Sequence, residues 1–174
     1  MKRIFSIFFI PFFLFGGEII LPKSFSANFT QIITNQQKEK IIYKGKILYS
    51  SPSNLKWSYT SPTKKDVCSN KEEILIVDHD LEQVSAYMID NGFDLLEIIK
   101  KAKPVRPTVY NAVYKEHIYT LQVNQRNELS RVAYKDEVDN SVLIIFENIH
   151  SKNQPLHPKD MQCMYPVDYD IIEE

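Results

Sequence analysis

The side chains of this 174-residue sequence that could do chemistry are four histidines, two cysteines and a few acidic turns. His79 sits in Asp78-His79-Asp80, a triplet that could pass for a metal or acid–base cluster. Adjacent strand residues point to opposite faces, so the three cannot converge, and the triplet reads as a solvated hairpin tip. His117, His150 and His157 complete the set. Asp136, Glu137 and Asp139 could hold calcium only weakly, since their spacing is not that of a known calcium loop. No G-x-S-x-G elbow, phosphate loop or dinucleotide fingerprint occurs. Cys68 and Cys163 lack the second ligand pair of a zinc site. In an exported protein their even count suggests a disulfide, while two unpaired thiols fit the sequence equally well. These patterns lead us to expect no catalytic residue, no metal and no cofactor.

Alternation organises the chain instead. Phe25, Ala27 and Phe29 share one face of a strand, as do Gly45, Ile47 and Tyr49, and then Leu55, Trp57 and Tyr59. The opposite phase is Ser26, Asn28 and Thr30, then Lys44 and Lys46, then Lys56 and Ser58. Strands are expected at Phe25–Ile33, Ile42–Ser50, Asn54–Thr60, Asp66–Ser69, Ile74–Asp78 and Leu81–Tyr87. They resume at Thr108–Tyr114, Ile118–Asn124, Leu129–Lys135 and Val142–Ile149, with edge segments at Gln162–Tyr165 and Tyr169–Ile172. The total is about eleven strands. Between the two groups Phe93–Ala102 changes to helical spacing, with Phe93, Leu95, Leu96, Ile98 and Ile99 on its dry side. Glu97 and Lys101 form an i,i+4 pair on its wet side, and Pro104 stops it. So short a helix must rest its dry face on the sheet.

The length suits one domain, and aromatic residues at 12% with only four glycines favour an antiparallel β protein. A formal net charge of −1 leaves no basic footprint for nucleic acid. Lys2-Arg3 precede an apolar run, Ile4–Phe15, and then Gly16-Gly17, the pattern of a secretory signal peptide over Met1–Gly17. An uncleaved anchor is the alternative, since Leu14 and Phe15 stand where small residues are wanted before cleavage. Removing the segment takes the formal charge from −1 to −3, because Lys2 and Arg3 are its only charged side chains. One helix cannot cover so broad a sheet. The dry face is therefore either an ordinary core or a cavity, lined by Phe29, Ile47, Tyr49, Leu55, Trp57, Tyr59 and Ile76.

The phrases Phe25-Ser-Ala-Asn-Phe-Thr-Gln, Gly45-Lys-Ile-Leu-Tyr, Pro52 with Trp57, and Pro62 after Tyr59 resemble the LolA family of outer-membrane lipoprotein carriers. So do Asp78 with Leu81-Glu-Gln83, the helix Phe93–Ala102, the turn and strand Asp136–Phe146, and the tail Cys163–Ile172 with Pro166. In order, they span nearly all of residues 18–174. The resemblance implies an unclosed antiparallel β-barrel with a helical lid over a cavity for acyl chains. It implies a monomeric, non-catalytic carrier in the periplasm. Such a carrier takes lipoproteins from an inner-membrane ABC transporter and hands them to an outer-membrane acceptor lipoprotein. A lipid-sensing regulatory domain on the same barrel is the alternative. Where the family commonly has an inward Arg that latches the lid, this chain has Ser51, in phase with Tyr49 and Leu55; a hydroxyl cannot supply the same fork of donors. Leu55 stands where the family often has Phe. Leu55→Glu is expected to keep the fold and abolish cargo uptake or release.

Overall fold

A computed structural model describes residues 19, 21–70, 72–88 and 94–173. Met1–Gly17, read above as a signal peptide, and Phe93, read as part of the helix, lie outside the described residues.

Alternating stretches form the strands that their period predicts. They are β1 (Ser24–Thr34), β2 (Lys40–Ser50), β3 (Asn54–Ser61), β4 (Lys65–Ser69), β5 (Glu73–Asp78) and β6 (Gln83–Met88). One helix follows, α1 (Leu95–Lys101), then β7 (Lys103–Arg106), β8 (Val109–Tyr114), β9 (His117–Val123), β10 (Leu129–Lys135) and β11 (Ser141–Lys152). A single 3₁₀ turn at Pro158–Met161 and β12 (Asp170–Glu173) close the described chain. All twelve strands join one open sheet, ordered β12-β6-β5-β4-β3-β2-β1-β11-β10-β9-β8-β7.

The expected mainly β, unclosed half-barrel is therefore present, with three corrections. There are twelve strands among the described residues rather than about eleven. Pro104 does stop the helix, but the chain turns straight into β7, where an edge strand tolerates proline. Gln162–Tyr165 is not a strand. It follows the 3₁₀ turn across the convex face, and the tail strand β12 pairs with β6 in parallel rather than antiparallel.

β1 is the hinge of the sheet, flanked by β2 on one side and by β11, distant in sequence, on the other. Bulges between Ser26 and Asn28, Lys44 and Gly45, and Leu129 and Arg131 add local twist and bend. The sheet curls around an apolar core of Phe25, Ala27 and Phe29 with Ile47, Tyr49, Leu55 and Trp57. Tyr110, Leu121, Val132, Ile144 and Phe146 join it from the other wing.

Gly45 makes one part of this packing possible. A Cβ there would meet the Ser58 carbonyl oxygen at 2.1 Å and the Phe29 ring at 2.8 Å. Without it, Phe29 lies across β2 and meets Trp57 and Tyr59 edge-on, each at 5.0 Å between ring centroids.

The opposite, convex face carries a second cluster of Val77, Val84 and Cys163, with Cys68, Leu75 and Tyr169 against it. Cys68 and Cys163 form a disulfide, which resolves the alternatives left open by the sequence. It pins a C-terminal strap across the outside. Ser24 Oγ donates to the Gln154 carbonyl at 2.7 Å, the Leu156 N–H donates to Ser50 Oγ at 3.0 Å, and Lys56 Nζ donates to the Gln162 carbonyl at 2.7 Å. Ser24 and Ser50 are the buried polar side chains among the described residues, and both are spent holding this strap.

Candidate functional site

The concave face divides into two regions. On the first, formed by β1–β3 and β8–β11, α1 sits as a plug: Leu95, Leu96, Ile98 and Ile99 are all buried in the main core. Asp94 caps the helix, its Oδ1 accepting from the N–H groups of Leu96 and Glu97 at 3.0 and 3.1 Å. Glu97 pairs with Lys100 at 2.6 Å, one residue nearer than the expected Lys101. That bond holds the Glu97 carboxyl below its ordinary range. Lys101 instead stands over the Tyr114 ring at 5.0 Å, tying the end of the helix to β8.

The second region is the wing of β4, β5, β6 and β12. Register carries the inward phase outward from Trp57 to Val67, Ile76, Ser85 and Ile172, and from Leu55 to Ser69, Ile74 and Tyr87. Val67, Ile74, Ile76 and Tyr87 are only half-buried, and Ile172 is exposed. The apolar inner surface is thus continuous from a filled half onto a partly bare one.

The candidate residues fall unequally on these regions. Phe29, Ile47, Tyr49, Leu55 and Trp57 are buried, and form the packed floor and wall rather than free space. Burial pushes the Tyr49 hydroxyl up in pKa, partly offset by the nearby Lys100 ammonium. Tyr59 is half-buried at the margin, donates to Gln31 Oε1 at 3.1 Å, and has its pKa pushed up to about 12, chiefly by burial. Ile76 lies on the wing, on β5 opposite Val67 of β4. Ser51 borders a convex-side cavity of about 630 Å³ beneath the strap, and its backbone N–H donates to the Lys23 carbonyl at 2.8 Å. The plug is held by burial, its cap and the Lys101–Tyr114 contact.

Sequence reasoning missed a second concave-side feature, a cavity of about 390 Å³ between the start of β1, the β9–β10 turn and β11. Ile19 and Leu21 meet Phe25, Leu129, Phe146 and Ile149 there, with Arg126 and Glu128 paired at 3.1 Å among its lining residues. The inward phase of Phe25 and Ala27 was the available signal. Their partners come from the pairing of β1 with β11, which no local pattern announces. The His79 ring is held by neighbours, its Nδ1 lying 3.2 Å from the Tyr169 hydroxyl and its Nε2 3.6 Å from Asp66. No cluster of metal-ligating side chains occurs among the described residues.

An open sheet with a dry concave face and a short helix set into it defines the class of half-barrel proteins. Solved structures share the fold. An uncharacterized conserved protein from Thermus thermophilus superposes with a TM-score of 0.56 at 10% identity, covering 88% of this chain and 92% of that one. A LolA superfamily protein from Nitrosomonas europaea gives 0.51 at 12% identity, covering 83% and 93%. The family described as outer membrane lipoprotein carrier protein LolA matches residues 22–94. An outer-membrane lipoprotein carrier protein of Campylobacter jejuni is 36% identical over 99% of both chains. One of the same description from Wolinella succinogenes is 26% identical over 87% of each. The chain belongs to the LolA family of outer-membrane lipoprotein carriers.

Proposed function

We propose that this protein is a non-catalytic carrier that holds the acyl chains of lipoproteins against its concave face. The observation that carries the reading is the continuity of that face: a buried aromatic floor runs out onto the half-bare wing of Val67, Ile74, Ile76 and Tyr87. Exposing acyl chains to water costs about 0.8 kcal/mol per methylene, so a carrier must offer dry surface and still let go. A wing that only half covers its guest, beside a plug held by four apolar side chains, suits that compromise. The disulfide and the family of lipoprotein carriers support a site of action outside the cytoplasm, which we take to be the periplasm. There the protein would act as a monomer, receiving lipoproteins from an inner-membrane ABC transporter and passing them to an acceptor lipoprotein of the outer membrane.

The structure changes the choice of test. Leu55 is 5% exposed, so Leu55→Glu would put a carboxylate into packed core and cost stability rather than touch cargo alone. Ile76→Glu on the half-bare wing is the better variant. Purified protein is mixed with inner-membrane vesicles containing the transporter and a triacylated lipoprotein, and the soluble complex is counted after the vesicles are spun down. The wild type should recover lipoprotein without detergent, and Ile76→Glu should recover little at an unchanged thermal midpoint. Equal recovery by both proteins would remove the wing from the reading, and no recovery by the wild type would end it.

A further inference from the structure

We propose that the edge strand β7, together with the last turn of α1, is a docking surface for anionic phospholipid membranes. Between Glu97 and Glu116 the chain carries Lys100, Lys101, Lys103, Arg106 and Lys115 and no carboxylate side chain. That local excess is set in a chain whose formal net charge is −1. Every residue of β7 is exposed. Lys100 is neutralised by Glu97, but among the described residues no carboxylate lies within salt-bridge distance of Lys101, Lys103 or Arg106. Aliphatic side chains are exposed on the same edge of the sheet, with Val105 between Lys103 and Arg106 on β7. Val105 is 55% exposed, and Val113 and Ile118, opposite each other across β8 and β9, are 64% and 63% exposed.

Structural roles explain part of this. Lysines in a last helical turn complement the dipole, and Lys and Pro on an edge strand discourage pairing with other chains. Neither role calls for three bare aliphatic groups on the same edge. Cations on long stems together with exposed aliphatics match an anionic bilayer, whose phosphates meet the charges while the apolar tips enter the headgroup layer. A protein partner adding a strand here is disfavoured, since Pro104 removes a donor from the edge. β7 also bounds the open sheet on the side opposite the half-bare wing. The inference does not rest on the carrier reading, because it concerns protein without cargo.

The test is cosedimentation of the cargo-free protein with vesicles of mixed phosphatidylglycerol and phosphatidylcholine, and with vesicles of phosphatidylcholine alone. Binding should be confined to the anionic vesicles and weaken as salt is raised. Lys101→Gln, Lys103→Gln and Arg106→Gln should each weaken it about fivefold, and the triple variant about 100-fold. Val105→Ser should weaken binding further at unchanged charge. A control triple, Lys38→Gln with Lys40→Gln and Lys44→Gln on the far β1–β2 hairpin, changes the net charge equally and should bind as wild type. No binding to anionic vesicles, equal binding to neutral ones, or an equal loss in the control triple would each overturn the proposal. Failure to bind vesicles combined with photo-crosslinking of position 105 to an acidic protein would replace the membrane with a protein partner.

Discussion

Ile98→Ala distinguishes a helix that lifts from one that is permanent core. Ile98 is fully buried, and α1 runs only from Leu95 to Lys101, below the length at which an isolated helix is stable in water. Truncating a buried Ile to Ala removes transfer energy and leaves a cavity, at a cost of about 2–5 kcal/mol. If the helix opens by itself, its opening equilibrium should rise by that amount, about 30- to 4,000-fold. Native-state hydrogen exchange reads this directly at the amides of Ile98 and Ala102, which donate to the carbonyls of Asp94 and Ile99. Amides in the middle of β1, paired on both sides, report the sheet. Once the helix is out, the sheet no longer feels residue 98. The margin by which the sheet is better protected than the helix should therefore be present in wild type and unchanged in the variant. Helix and β1 amides sharing a single opening free energy in both proteins would refute the lid, and would make α1 an integral part of the core.

Other consequences are open to simpler measurements. The Cys68–Cys163 bond spans 95 residues, so its reduction should lower the urea-unfolding free energy by about 3–5 kcal/mol; a loss below about 1 kcal/mol would mean the strap is held by its other contacts. Gly45→Ala forces a methyl against the Ser58 carbonyl and the Phe29 ring, and should cost about 1–3 kcal/mol in the same assay. A neutral result there would show that the β2–β3 backbone at Ser58 shifts as well as the Phe29 ring. The Tyr59 hydroxyl titrates near 12 when folded, against 10.0 as its ordinary value, so its contribution to stability is intact below pH 10 and is lost as the pH rises toward 12. Tyr134 is shifted in the same direction, mainly by burial. The tyrosinate absorbance of Tyr59 and Tyr134 should therefore appear late and together with unfolding, and a late step left unchanged in the Tyr59→Phe, Tyr134→Phe variant would contradict this burial.

Much of the fold was legible because a strand's two faces are decided by neighbours two residues apart. Phe25, Ala27 and Phe29, then Ile47 and Tyr49, then Leu55 and Trp57 all face the core as their alternation requires. The plug was legible for the same local reason at helical spacing, down to Leu95, Leu96, Ile98 and Ile99. Glu97 chose Lys100 over Lys101 because Lys101 had a ring to stand on, and that ring arrives from β8.

Periodicity thus decided which side of each strand is dry, and the ordered phrases along the chain pointed to the family. It could not say how much of the dry side would remain bare. That depends on β1 pairing with β11, on Gly45 letting Phe29 cross to Trp57 and Tyr59, and on a helix that packs against β8. Nor could it choose between thiols and a disulfide, or turn Ser51 toward the strap. Those outcomes are contacts between residues far apart in the chain, where closure of the sheet, and no local preference, sets who meets whom.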